Sequence, residues 1–465
     1  MIKKYKELFS NTAIFAVSNV LSKFILSLLL PLYTRALTTE MYGKAELITT
    51  IADFLIPICS FAIQDALFRY GMENGKRQEE VLKDSILVLG IGTGLLFVAS
   101  IALRFYEPVG SLYIMFWIVS GVSMWRSAFS LYSKAIEKTV IFAVDSIVYN
   151  ALLGVFNIIF LFIFKCGLYG YFLSMVSAGI SSIAYLAIST NSIRTIFHTE
   201  YNFVLLKEML GYSTPLVFNS ISWGLTHIVD KLMLTNLCGS SANGIYSAAS
   251  KIPALLSLVT GIFTQAWMLS AIKDYQSDRD KRFYSNIFDI THISVCAGTL
   301  IILLLNNNLF LMVLGGDFAD SIRYAPVLLM GSVFLTYSNY YSPIYSAMKK
   351  SKQIMYSSIC GGIVNFILNV VLIPKMGIMG ACLATAVSYA FIAGYRMIDC
   401  QIKFPLNIPY YRWILSMIAM IAAAYITVQD KNYILMISIA TLAIFFLYRS
   451  LILDFISRII KVIKQ

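Results

Sequence analysis

Runs of about twenty apolar residues recur along the whole chain, and no segment between them is long enough to fold in water on its own. A helix that crosses the hydrocarbon core needs about 20 such residues, each advancing it by about 1.5 Å. Fourteen runs qualify: 11–33, 46–68, 84–103, 110–133, 141–164, 168–189, 210–235, 244–270, 286–305, 324–347, 354–374, 377–395, 413–428 and 433–453. They are continuous, whereas a β-barrel would give ten-residue alternations. The expected fold is therefore an all-α integral membrane protein of about 14 transmembrane helices. Composition agrees. The chain is 58% hydrophobic and 13% charged, with mean hydropathy +0.75, while a soluble domain carries about 25% charge to cover its surface.

The net charge of +12 would suit a nucleic-acid binder, but the charges recur in short runs between the spans and form no single patch. No nucleic-acid partner is expected. With a cytoplasmic N-terminus, 25 of the 36 Lys and Arg fall in inner segments, 7 in outer ones and 4 (Lys23, Arg126, Lys231, Lys251) within spans. This bias follows the positive-inside rule and puts both termini in the cytoplasm. Arg396 and Arg412 count among the inner residues. Lys3, Lys4 and Lys6 precede a run too long for a signal-peptide core, so it reads as a retained first span. Seven cysteines without a CxxC spacing read as small apolar residues; neither a metal site nor a cofactor is expected.

The chain repeats itself. Tyr42-Gly43 follows the first span and Asn243-Gly244 follows the seventh, 201 positions later. Gly167-Leu168-Tyr169-Gly170 opens the sixth and Gly377-Ile378-Met379-Gly380 the twelfth, 210 positions later. Each glycine pair suits a tight outer turn at which helices approach closely. Two parallel six-helix lobes are expected, 1–200 and 201–400, with a further helix pair and cytoplasmic tail in 401–465.

Ionisable groups within a span are costly, so each is a functional hypothesis. Asn19, Lys23 and Ser27 form one stripe on the first span. Thr49, Asp53, Pro57, Ser60 and Gln64 share a face of the second; Asn219, Trp223, His227 and Asp230 lie on the seventh; Tyr246, Ser250, Pro253 and Ser257 on the eighth. Pro57 and Pro253 are candidate hinges, since each removes a helical hydrogen bond. Lys23 and Asp53 lie at similar depth around one outer turn, Asp230 and Lys251 around another, which suggests one Lys–Asp pair per lobe. Protonation of the acid would then couple transport to a proton gradient. Lys231 reads as a residue reaching an outer helix end, Arg126 as a deep cation, Arg35 as an outer anchor, and Asp65 and Asp289 as solvated inner acids.

The stretch NFILNVVLIPKMGIMGACLAT (365–385) carries an Asn-x3-Asn, Ile-Pro, Gly-x2-Gly-Ala, Ala-Thr pattern, and SNVLSKFILSLLLPLYTRALTTEMYGKAEL (18–47) carries a polar span followed by Pro, Tyr-x-Arg and Tyr-Gly. Both resemble the polysaccharide transporters, the O-antigen and capsule flippase branch of the multidrug/oligosaccharidyl-lipid/polysaccharide (MOP) superfamily. The resemblance covers nearly the whole chain. It implies a V of two six-helix lobes, MATE-like, around a cavity lined by spans one, two, seven and eight. It also implies a polyprenyl-diphosphate-linked oligosaccharide carried from the inner to the outer leaflet of a bacterial cytoplasmic membrane. Membrane lipids, a polysaccharide polymerase and a chain-length regulator are the implied partners. The extra helix pair is closer to the peptidoglycan lipid-precursor flippases of the same superfamily.

Such a cavity needs cations for a diphosphate and polar groups for sugars. Asn19, Lys23, Arg35, Arg126, Lys231 and Lys251 are the candidate substrate-binding residues, and Asp53, Asp230 and His227 the candidate coupling residues. A drug or cation exporter of the same superfamily is the first alternative, disfavoured by the deep cations. A polysaccharide polymerase or ligase is the second. It would need a large catalytic outer loop, but the longest here is about Thr34–Ala45 with Glu40 as its one acid, and no HExxH, Gly-x-Ser-x-Gly or Walker motif occurs. The expected activity is transport without enzymatic chemistry.

Overall fold

The computed structural model describes residues 22, 25, 28–72, 77–277, 281–306, 310, 314, 316–348, 350–429 and 433–463. Among them no strand occurs. The helices are α1 (28–36), α2 (Thr39–Cys59), α3 (Ile63–Gly71), α4 (Arg77–Leu103), α5 (Tyr113–Ala135), α6 (Thr139–Asn157), α7 (Gly167–Ser189), α8 (Ser192–His198), α9 (Phe203–Cys238), α10 (Ser240–Ser277), α11 (Lys281–Asn306), α12 (Ser321–Ala347), α13 (Ser351–Met376), α14 (Ile378–Lys403), α15 (Tyr410–Val428) and α16 (Tyr433–Ile463).

Eight described helices are long and apolar enough to cross a membrane, and the bent pair α2–α3 makes a ninth. These nine coincide with nine of the expected runs. The runs at 210–235, 244–270 and 324–347 fall on α9, α10 and α12, helices of 36, 38 and 27 residues. The last falls on α16, whose apolar part, Tyr433–Arg449, is shorter. The first lies mostly outside the described residues. Large apolar side chains such as Ile363, Phe366, Ile418 and Leu442 point outward at 52–58% exposure, the arrangement that lipid requires and water would penalise.

By their internal packing the described residues form two compact units, Met1–Gly244 and Ile245–Gln465. In the first, α9 packs on α2, α3 and α4, while α5, α6 and α7 pack on one another. This is why the boundary between these units falls after α9. In the second, α12 and α13 flank α14, and α11 and α12 carry the α15–α16 pair. Lipid offers helices no hydrophobic reason to associate, so small residues and close approach carry the packing. Gly331 of α12 accordingly sits over Ala386 of α14.

The glycine repeats have matching geometry. Gly167 and Gly377 open α7 and α14 at φ +54° and +55°, where a side chain would be strained. A Cβ on Gly170 would lie 2.9 Å from the Phe160 carbonyl oxygen, and one on Gly380 2.4 Å from that of Leu372. Each glycine lets its helix close on the one before it. The bend between α2 and α3 is 61°. Pro57 stands two residues before the end of α2, and Phe61 and Ala62 take positive φ (53° and 48°), returning the chain through Ala62 N–H to the Pro57 carbonyl at 2.8 Å. By contrast α10 runs through Pro253 as one continuous helix.

Candidate functional site

Two charged clusters lie inside the first unit. The first joins three helices. Arg126 of α5 donates from Nη2 to Asp145 Oδ2 of α6 (3.1 Å) and from Nε to Ser182 Oγ of α7 (3.0 Å). The Ser182 hydroxyl donates to the other Asp145 oxygen, closing a ring of three hydrogen bonds. The guanidinium lies 3.5 Å from the centre of the Tyr149 ring, one turn after Asp145. The Asp145 side chain is 0% exposed and that of Arg126 22%. A carboxylate at that depth persists only with its charge and lone pairs matched, which Arg126 and Ser182 do.

The second cluster joins α2 to α9. Lys231 Nζ donates to Glu46 Oε2 at 2.9 Å and to Thr50 Oγ1 at 2.8 Å, with 16% and 9% of the two charged side chains exposed. The Tyr42 hydroxyl donates to Glu46 Oε1 at 2.9 Å. Tyr42 stacks on Tyr33, Tyr33 meets Tyr171 edge to face at 4.9 Å, and Asn157 donates to the Tyr33 hydroxyl at 3.0 Å. Beside this cluster the Asn243 amide donates to the Gly43 carbonyl at 2.8 Å, and the Thr39 and Ser241 hydroxyls lie 2.7 Å apart. A Cβ on Gly43 would sit 1.8 Å from the Ser240 carbonyl oxygen, and one on Gly244 1.9 Å from that of Thr39. Only glycine permits this crossing. In the loop after α4, burial pushes the Tyr106 hydroxyl above its ordinary pKa, and the hydroxyl donates to Asn236 Oδ1 at 2.7 Å.

The second unit holds two further polar centres. Arg396 of α14 is 2% exposed and is met by neutral groups: Ser357 Oγ, Ser342 Oγ, Ser358 Oγ and the Ser338 and Ile354 carbonyls, at 2.7–3.3 Å. His292 of α11 is fully buried, with Nδ1 2.6 Å from the Tyr337 hydroxyl and Nε2 2.7 Å from Ser416 Oγ of α15. The Ser416 hydroxyl hydrogen is spent on the Arg412 and Trp413 carbonyls, both at 2.9 Å. Its oxygen therefore accepts, so Nε2 carries the imidazole proton and Nδ1 accepts from Tyr337.

Several sequence expectations change here. Lys231 does not reach for the outer surface; it is a member of a buried ion pair. Arg396 is not an inner-loop residue but a buried cross-link, because two neighbouring helices, α12 and α13, supply its acceptors. Asp289 is not solvated: it is 9% exposed, and its Oδ1 has no hydrogen-bond partner among the described residues. Glu46, Asp145 and His292 were not singled out. The signal for Asp145 was available, since an acid inside a span is a functional hypothesis by default. Lys23 and Asn19 lie outside the described residues, as do the side chains of Asn219, Trp223 and His227. Asp53 and Lys251 are exposed on α2 and α10, Asp230 is 4% exposed on α9, Arg35 is exposed at the end of α1, and Asp65 is exposed on α3. Among the described residues no group of three or more His, Cys, Asp or Glu is placed to hold a metal ion.

Comparison with known proteins agrees with this architecture. Residues 8–268 match the family model described as polysaccharide biosynthesis protein. The capsular polysaccharide biosynthesis protein CapF of Staphylococcus aureus is 23% identical over 405 residues, 83% of this chain and 96% of that one. An uncharacterized membrane protein of Methanocaldococcus jannaschii is 24% identical over 208 residues, 43% of this chain and 46% of that protein, so this match spans less than half of that relative's length. Among solved structures, a multidrug resistance MATE family transporter of the MOP superfamily in its inward-facing conformation aligns with TM-score 0.69 at 12% identity, covering 82% of this chain and 94% of that one. The lipid II flippase MurJ, inward closed, aligns with TM-score 0.66 at 16% identity, covering 96% and 99%. A MOP superfamily transporter from Pyrococcus furiosus aligns with TM-score 0.59 at 12% identity, covering 85% and 95%. With more than half of its length matched by the family model, this multi-span, all-α membrane chain belongs to the polysaccharide biosynthesis protein family and has the fold of the MOP superfamily.

Proposed function

We propose that the protein is a flippase that carries a polyprenyl-diphosphate-linked glycan from the inner to the outer leaflet of a bacterial cytoplasmic membrane for surface polysaccharide synthesis. The observation that carries this reading is the Arg126 cluster within the family-matched region. It is a charged, hydroxyl- and ring-bearing site deep in a helix bundle, of the kind that shelters a polar head group from hydrocarbon. No covalent bond is made or broken; the work is desolvation and alternating access. In this reading the lobes are 1–200 and 201–400. Lys23, Asn19, Arg35, Lys231 and Lys251 belong to the polar path, and Asp53, Asp230 and His227 to an ion-coupled step. Pro57 and Pro253 are hinges. Glu46 joins the coupling acids on the strength of its buried pair with Lys231.

The test is deletion of the gene in its native host, followed by extraction of lipid-linked saccharide from the membrane. Accumulation of a diphosphate-linked saccharide with loss of surface glycan, restored by the wild-type gene, is the expected result. An unchanged lipid-linked pool with heightened drug sensitivity overturns it in favour of a multidrug exporter, as one fold neighbour is named.

A further inference from the structure

We propose that Arg126 is a specificity-determining residue that takes an oxyanion borne by the glycan itself, an acidic-sugar carboxylate or a sugar phosphate. This rests on the flippase reading and names the class of cargo that the site selects.

The argument begins with which edge of the guanidinium is used. An arginine presents five N–H donors in one plane. Nε and Nη2 share the side-on edge, and both are committed: Nε to Ser182 at 3.0 Å, Nη2 to Asp145 at 3.1 Å. The Ser182–Asp145 hydrogen bond locks that edge from behind, and the Tyr149 ring covers one face. The end-on edge, made by Nη1 and the outer hydrogen of Nη2, is left over. Among the described residues nothing bonds to Nη1, and the side chain keeps 22% of its surface while its counter-ion keeps none. A long, rotamer-rich side chain is thus held in one plane before any ligand arrives, and the ordering cost is met in advance. Two parallel N–H groups on one edge match two oxygens of a carboxylate or phosphate.

Two further points narrow the ligand. Asp145 already neutralises the arginine, so the site offers directed hydrogen bonds and little net field. It selects by shape, and a hydroxyl cannot take both donors as an oxyanion does. Depth then separates glycan from lipid linkage. Arg126 stands nine residues before the Ala135 end of α5, about 14 Å along the axis at 1.5 Å per residue. A lipid loaded from that side holds its diphosphate at head-group level while its sugars extend inward. The group that meets Arg126 first is therefore on the glycan. Asp145 and Ser182 are positioning residues: they aim the fork and do not touch the ligand.

The test uses the full chain in lipid nanodiscs and three probes: a polyprenyl-diphosphate disaccharide ending in glucuronate, its glucose counterpart, and the counterpart ending in glucose phosphate. Wild type is expected to bind one acidic probe about tenfold more tightly than the glucose probe, the equivalent of one charge-assisted hydrogen bond. Which acidic probe is preferred identifies the source of the oxyanion. Arg126→Lys keeps the charge, loses the fork and is expected to abolish the preference, bringing the acidic probes down to the affinity of the glucose probe. Ser182→Ala is expected to reduce it about threefold, with some loss in thermal midpoint from the unpaired Asp145 oxygen, and it decides the matter if Arg126→Lys does not fold. A purely structural role would weaken all three probes together. That result, or a preference that survives Arg126→Lys, or no preference in wild type, overturns the proposal and leaves the flippase reading standing. Failure of wild type to bind any of the three removes both.

Discussion

At the scale of single residues, buried charge dominates. Lys231 and Glu46 are each satisfied by the other and by a hydroxyl, so removing one leaves an uncompensated ion in a poorly solvated place. Lys231→Ala is expected to cost about 3 kcal/mol, near the lower end for buried pairs because the lysine keeps some exposure. Unfolding in mixed detergent micelles measures it, and the charge-reversed double variant Glu46→Lys with Lys231→Glu should recover part of the loss. The sequence made the cations conspicuous, since four Lys and Arg stand within spans, but it hid their partners. Whether Arg126 meets Asp145 depends on how three helices are rotated against one another, and no local periodicity records that. Arg396 was misplaced for the same reason. A positive charge near the end of a run looks like a loop residue until three serine hydroxyls and two carbonyls from neighbouring helices close over it.

Elements were far more legible. Lipid forces backbone groups to pair within a segment, so a twenty-residue apolar run has little choice but a helix. The sequence also marked the places where helices draw together, because glycine is the residue that close approach requires. Glycines differ, however, and the structure sorts them. Gly380 faces the Leu372 carbonyl, whereas Gly94, inside α4, has nothing within 4 Å of an added Cβ. Gly380→Val is expected to lower the thermal midpoint by several degrees or abolish monodisperse expression. Gly94→Ala is expected to be neutral or to stabilise by up to about 1 kcal/mol through helix propensity. Detergent-solubilised melting curves of the two variants compare them directly; equal effects would refute the packing account. The break between α2 and α3 was only half legible. Pro57 announced a bend, but Phe61 and Ala62 are ordinary residues in a left-handed conformation that their types do not advertise.

For the molecule as a whole, the C-terminal pair is more than an appendage. α15 supplies Ser416 to His292, and Tyr448 of α16 lies 5.1 Å from the same imidazole, so the pair completes a buried polar centre of the second unit. A chain ending at residue 403 is expected to leave Nε2–H unpaired and α11 stripped of a packing face. Its yield of folded protein should fall well below that of the full chain by size-exclusion chromatography, while a chain cut after 463 should behave as wild type. Such a dependence is not visible in hydropathy, which marks the pair as two more crossings and says nothing of what they hold.

The crossing of Gly43 and Gly244 carries one more consequence. A side chain there would point straight at a carbonyl oxygen, so glycine's own Cα hydrogen points at it instead, once in each direction. The contact is then a reciprocal pair of Cα–H···O interactions, each worth about 0.5–1 kcal/mol. It is very close in space and weak in energy. The glycines fix where the chains cross, as a pin fixes register, while strength at that end comes from Asn243, Thr39 and the Glu46–Lys231 pair. A joint built this way tolerates no lateral slip, and its resistance to being lifted apart rests on those polar contacts and not on the glycines.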